Sequence, residues 1–363
     1  MKIGIVTITN NGVNYGNQLQ NYAVKRILEN IGIDTINTLY NVDGVEFFAS
    51  PKWMIKNKIK CFLKKGNYSF RKKEMKFISF GKKYLNYTKP FSGVLSESET
   101  NTYDYFICGS DQIWNLNFPC NNRHIPFIFL KFAPKNKCIA FSASLGVSGY
   151  SEKQNEVLKD GISNFKAVSV REDDGAELIN KVTGEKPTVL LDPTMLIDKE
   201  DWEKIMLKPA NVPKKYILCY FLGTISENVR AQVEQWAVRY NLEVVYLNKN
   251  EINNSSTEAG PQEFIYYFAN AELVCTDSFH GTVFSIIFHN PFVVFERRDS
   301  KEKSNEQMGS RFKTLLQKFN LENRLYESIT EENIFELKTD YFQKIMLEEK
   351  LKAESFLKNA FST

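Results

Sequence analysis

The sequence predicts an α/β protein of two units, each a parallel sheet wrapped by helices. Three observations carry that expectation. The chain has 363 residues, 43% of them hydrophobic, which is ample for two cores of about 150–200 residues each. Its opening reads strand, polar loop, amphipathic helix, strand, the first turn of a doubly wound sheet. An apolar strand running into a polar turn then recurs along the chain and restarts after a charged stretch, Asp198 to Lys215, that carries Pro209 and Pro213. The boundary is therefore placed between 1–197 and 198–363.

Ile3 to Thr9 reads as a buried strand and Asn10 to Asn17 as a polar, glycine-bearing loop. From Gln18 to Asn30 the apolar residues Leu19, Tyr22, Ala23, Ile27 and Leu28 fall at helical spacing, and Gly32 stops the helix. Strands follow at Thr35–Tyr40, Tyr105–Cys108, Lys137–Ser142, Ala167–Val170 and Thr188–Leu191. The second unit offers strands at Tyr216–Tyr220 and Glu243–Leu247 and helices at 226–240 and 261–269. It then reaches Val274–Phe295, VCTDSFHGTVFSIIFHNPFVVF, which reads strand, tight turn, helix, strand. The tail, Glu331 to Phe361, reads as helical.

A net charge of +4 with 25% charged residues gives no footprint for nucleic acid. The six cysteines form no CxxC pair and sit mostly in apolar runs, so they read as free buried thiols in a reducing compartment. No metal-ligand constellation stands out. The start, MKIGIV, is too short for a signal peptide, and no run approaches the roughly 20 apolar residues of a membrane span. A cytoplasmic protein is expected. One segment departs from the rest: residues 52–83 hold twelve Lys and Arg against the single acid Glu74, with aromatics interleaved. It reads as a helical insert in the first domain, either a solvated face or a contact with an anionic membrane surface.

The chemistry gathers where strands end. A helix N-terminus after a strand offers unpaired N–H groups and a partial positive charge, a ready anion site. Ser278, Gly281 and Thr282 suit one: two hydroxyls and a residue with no side chain to block approach. His280 stands inside that turn, either as a general acid beside a bound anion or as a holder of the turn. His124 and His289 lack such polar settings. Arg171 follows a strand directly and suits a carboxylate or phosphate; the alternative is a surface ion pair with Glu172 or Asp173. Asp111 and Gln112 offer a carboxylate and an amide to sugar hydroxyls, or a helix cap. Asp192 before Pro193 reads as the start of a turn. Arg297, Arg298 and Arg311 follow the last strand and reach either an anion or water.

In order, NYGNQLQNYAVKRILENIG, FICGSDQIWN, SASLG, VSVREDDG, LDPTMLI, TDSFHGTVFSIIFHNPF and GSRFKTLL resemble the polysaccharide pyruvyl transferase family over roughly residues 3 to 325. The resemblance implies two Rossmann-like domains facing across a cleft, as in GT-B glycosyltransferases. It implies transfer of a pyruvyl unit from phosphoenolpyruvate (PEP) to two hydroxyls of a sugar, giving a pyruvate ketal and phosphate, with no cofactor or metal. By resemblance His280 is the catalytic histidine and Arg171 a PEP-binding arginine. Ser278 stands where some members carry Arg, so Arg298 or Arg311 would complete the cationic clamp. Asn14, Tyr15, Asn17 and Gln112 are the acceptor-side candidates, with Asp111 helping to deprotonate a hydroxyl. A lipid-linked acceptor would bring the 52–83 insert to the inner face of the membrane. Two rivals share the fold: a nucleotide-sugar glycosyltransferase and a non-catalytic carbohydrate-binding protein.

Overall fold

A computed structural model describes residues 1–9, 13–42, 68–248, 257–297 and 310–362. Among the described residues, ten strands form two wholly parallel sheets. β1 (Lys2–Val6), β2 (Thr35–Thr38), β3 (Tyr105–Cys108), β4 (Cys138–Ala143), β5 (Ala167–Val170) and β6 (Thr188–Val189) lie in the order β2-β1-β3-β4-β5-β6. β7 (Tyr216–Tyr220), β8 (Glu243–Tyr246), β9 (Leu273–Thr276) and β10 (Phe292–Val294) lie in the order β10-β9-β7-β8. Every residue of β4, β7 and β9 is buried. Helices on both faces require that, and it explains why these strands read as continuous apolar runs. The fold is thus α/β with two Rossmann-like domains.

Three local readings change, each for a physical reason. The first helix spans Tyr15–Asn30 and so begins three residues before Gln18, because Asn14 caps it by accepting the Asn17 backbone N–H at 3.2 Å. The charged stretch after Asp198 opens with a helix, Lys199–Ile205. Its Trp202 is fully buried, against Tyr22 of the first domain and Phe284 of the second. The tail helix spans Phe342–Ser362 and crosses back to the first sheet, where Phe356 stacks on Phe141 and Tyr105 Oη donates to the Phe361 carbonyl.

Of the basic insert, 52–67 lie outside the described residues, and the rest falls in a helix, Tyr68–Tyr84. It straps the two domains together. Phe77 and Phe80 enter the core. Lys72 pairs with Glu258 at 3.1 Å and Lys76 with Glu263 at 2.5 Å. Lys73 is buried and donates to the Leu247 carbonyl and Asn248 Oδ1, both at 3.1 Å. These three lysines thus tie the helix to the second domain. Among the described residues, no helix is long and apolar enough to cross one. Cys108, Cys138, Cys219 and Cys275 are buried free thiols, and Cys120 is a partly exposed one; Cys61 lies outside the described residues.

Candidate functional site

The polar knot at 277–282 is where a buried strand hands over to a buried helix. β9 ends at Thr276, whose Oγ1 donates to the Tyr220 carbonyl at 2.6 Å and accepts the Ser278 N–H at 3.0 Å. Ser278 caps the helix Phe279–Phe288, its hydroxyl accepting from Gly281 N. All ten residues of that helix are buried. Asp277 accepts the N–H groups of Leu222 and Gly223 at 2.6 and 2.8 Å, tying the loop after β7 to the same turn. Burial raises its pKa, opposed by Arg297 at 3.7 Å and by these backbone donors.

His280 is only 8% exposed, yet it lies where the domains meet. Its ring packs on Gly16 of the first domain so closely that a Cβ there would overlap Nδ1, Cε1 and Cγ. Its Nε2 faces Asp192 Oδ2 at 3.6 Å, an ion-pair distance too long for a hydrogen bond. Asp192 is the hinge of a network. Oδ1 accepts from Thr194 N at 3.0 Å and Oγ1 at 2.6 Å, which is the turn-starting role, while Oδ2 takes Arg171 Nη1 at 2.5 Å. Burial alone would raise its pKa, but Arg171 and then His280 and Thr194 hold it well below the usual carboxylate range.

Arg171 is no surface residue: its side chain is 1% exposed. Its guanidinium lies 4.5 Å above the Phe279 ring and reaches Asp111 Oδ1 at 3.5 Å. Burial opposes its charge, and Asp192, Asp111 and Glu172 outweigh that and raise its pKa. Asn17 Nδ2 donates to the other oxygen of Asp111. Glu172 turns away from Arg171 and accepts from Ser144 Oγ and the N–H groups of Leu145 and Gly146, which builds the SASLG loop. Asp173 is bonded to Thr314 instead.

Arg311 comes to the same place. Its guanidinium lies 5.5 Å from the centre of the Phe279 ring. Burial, then the charge of Arg171, pushes its pKa down to about 10, with Glu172 and Asp111 opposing. Among the described residues it has no carboxylate within ion-pair distance. Nε of Arg171, Nε of Arg311 and Nε2 of His280 are all sealed from solvent without a hydrogen-bond partner. Each such buried group costs about 1–3 kcal/mol. An anion reaching all three would relieve that cost.

The structure thus brings His280, Arg171, Arg311, Asp111 and Asn17 together. Among the described residues it does not bring the others. Tyr15 is fully buried between the domains, stacked on Phe264 at 4.4 Å with its hydroxyl donating to the Ala259 carbonyl at 2.9 Å. Asn14 is spent as the cap. A Cβ at Gly281 would overlap Thr276, which by itself requires glycine there. Thr282 is fully buried and its hydroxyl turns back to the Ser278 carbonyl at 3.4 Å. The Gln112 amide lies against Gly146, at φ +68°. Arg298 lies outside the described residues. His289 ends its helix at φ 59° and packs on Phe342, whereas His124 has a more polar setting than expected, beside Thr7, Thr9, Asn41 and Asn121. Gly16 and Asp192 were missed as site residues.

Two parallel α/β domains with a cationic junction between them form a GT-B type of architecture. A UDP-N-acetylglucosamine 2-epimerase from Rickettsia bellii has the same fold, with a TM-score of 0.51 at 9% identity over 99% of this chain and 96% of that one. The Neisseria meningitidis epimerase bound to UDP-GlcNAc gives 0.44 at 13% identity, covering 97% and 100%. Escherichia coli ADP-heptose heptosyltransferase II gives 0.40 at 11% identity, covering 99% of each. No curated protein matches the sequence significantly. The family is nevertheless defined: a model of polysaccharide pyruvyl transferases matches residues 14–300. The chain belongs to that family, which is one of transferases.

Proposed function

We propose that the protein transfers a pyruvyl unit from PEP to two hydroxyls of a sugar in a cell-surface polysaccharide precursor. The observation that carries this reading is the trio of sealed, unpartnered donors on Arg171, Arg311 and His280. PEP brings a carboxylate and a phosphate on three carbons and so needs two cations close together. Arg311, with no carboxylate partner among the described residues, is the stronger candidate for direct contact; Arg171 shares its charge with Asp192 and Asp111.

In this reading His280 gives its proton to C3 of PEP, the C2=C3 electron pair forming the new C–H bond. A sugar hydroxyl adds to the electrophilic C2 and passes its proton to Asp111. The C2–O bond to phosphate then breaks, phosphate leaving with the electron pair; the second hydroxyl closes the ketal and gives its proton to the now neutral His280, while the proton on Asp111 passes to the departing phosphate. Asp192 faces the ring at Nε2 and Gly16 covers the side at Nδ1, so both act as positioning residues.

Thermal unfolding with PEP or UDP-sugars separates the readings. A native-state ligand at about 100 times its dissociation constant adds about 2.7 kcal/mol. A raised midpoint with PEP, lost in Arg311→Gln, is expected. A response to UDP-sugars alone would replace this reading with a nucleotide-sugar glycosyltransferase, and no response to either with a non-catalytic carbohydrate binder.

A further inference from the structure

In the second sheet the chain leaves β7 on one side for β8 and returns on the other for β9. Open α/β sheets take ligands outside the strand ends at such a reversal, and the first strand-to-helix turn there is where phosphates are held. That turn runs here from the end of β7 to Ser226, the cap of the helix Glu227–Tyr240. The successive N–H groups of Leu222 and Gly223 converge in it, which makes an anion nest. Its occupant is the chain's own Asp277: Oδ1 accepts from Leu222 N at 2.6 Å and Oδ2 from Gly223 N at 2.8 Å. Strand register delivers the carboxylate. Tyr220 pairs with Thr276, and Thr276 Oγ1 fastens to the Tyr220 carbonyl, so the residues just beyond the two strands lie side by side.

The nest has a mouth and a cation. Leu222 is 48% exposed and the Arg297 side chain 33%, whereas the Asp277 side chain is 2% exposed. The carboxylate is therefore a plug at an opening rather than part of a closed core. Arg297 Nη2 donates to the Asp277 carbonyl at 3.0 Å, and its Nε stands 3.7 Å from Oδ2 without a hydrogen-bond partner. Two backbone donors beside a guanidinium are what a diphosphate needs. Burial works against the Asp277 charge and raises its pKa, with Arg297 and the two N–H groups opposing. The carboxylate satisfies the donors as a phosphate would, and its charge repels one. The arginine junction is close by, since the charge of Arg297 also helps to lower the Arg311 pKa.

We propose that Asp277 is a specificity-determining residue: its carboxylate fills the diphosphate nest of the second domain, bars nucleotide diphosphates from it and leaves the arginine junction as the anion site. The exclusion does not rest on the pyruvyl-transfer reading. Inorganic pyrophosphate is the probe, titrated calorimetrically into wild type, Asp277→Ala and Asp277→Asn. Alanine empties the nest, whereas asparagine removes the charge and keeps the nest filled. A hydrogen bond to a charged group is worth about tenfold in affinity. Asp277→Ala is therefore expected to bind pyrophosphate about 100-fold more tightly than wild type, and Asp277→Asn less than about tenfold more tightly. The gain should persist when Arg311→Gln is added. Refolding from denaturant is the second readout, because Asp277→Ala leaves two N–H groups without their acceptor. Pyrophosphate should raise its folded yield by binding the native state and leave that of wild type unchanged. Equal gains in the two variants, a gain lost with Arg311→Gln, no gain in a folded Asp277→Ala chain, or no rescue of an unfolded one overturns the proposal. A gain in Asp277→Ala beside a wild type that ignores PEP would keep the nest and remove pyruvyl transfer.

Discussion

Replacing Gly16 by Ala adds one methyl group to a helix and tests how the His280 ring is held. The new Cβ would stand 2.5 Å from Cε1 and 2.8 Å from Cγ of His280. Ordinary carbon contacts need about 3.5–4.0 Å, so ring and helix must part by about 1 Å. The ring has little room: Phe279 meets it edge-on at 5.5 Å, and Asp192 stands at Nε2. Misplacement of about 1 Å costs about 100-fold in rate. Overpacking costs about 1–3 kcal/mol, partly offset by up to about 1 kcal/mol from removing a helical glycine. Phosphate release from PEP with a sugar acceptor should therefore fall about 100-fold in a folded protein. A double-mutant cycle by denaturant unfolding isolates the contact: in a His280→Ala background the Gly16→Ala penalty should vanish, a coupling of about 1–3 kcal/mol. Unchanged turnover, or additive stability effects, would refute the packing argument.

Two further outcomes follow from buried charge. Arg311→Gln removes a cation whose charged form is penalised in the folded state, its pKa lying at about 10. The free protein should gain stability, at most about 3 kcal/mol, while its midpoint no longer responds to PEP; a stability loss with the PEP response intact would contradict this. Burial lowers Lys73 to about 8 from 10.5. Between those values the unfolded chain holds more protons, so this term adds stability as pH rises, and below pH 8 its full penalty of at most about 3 kcal/mol stands. Lys73→Met should therefore unfold at a higher temperature than wild type at pH 7, with the gap narrowing towards pH 10. A gap independent of pH would rule this out.

The architecture was legible because parallel strands buried on both faces, such as β7 and β9, read as short unbroken apolar runs. Arg171 was legible because it follows β5 directly, and His280 because it stands in the turn just beyond β9. Gly16 was not: its requirement comes from a ring 264 positions away in the second domain, and a glycine near a helix start carries no mark of that. Asp192 was read as a turn residue, which is true of Oδ1; its other oxygen answers to Arg171 and His280, and sequence does not separate two oxygens. Tyr15 misled because polar neighbours disguised a helix start packed into the domain interface. The pairing of Lys72 and Lys76 was not legible either: their acidic partners, Glu258 and Glu263, lie far along the chain.

The central claim is that the arginine junction holds PEP and His280 hands it a proton. Rapid-mixing measurement of phosphate release by His280→Gln, with PEP and a sugar acceptor, tests it most directly. Loss of a general acid costs about 100- to 10,000-fold. The variant should lose at least the lower figure while its midpoint still rises with PEP. Release at the wild-type rate by a folded, PEP-bound variant would contradict the claim.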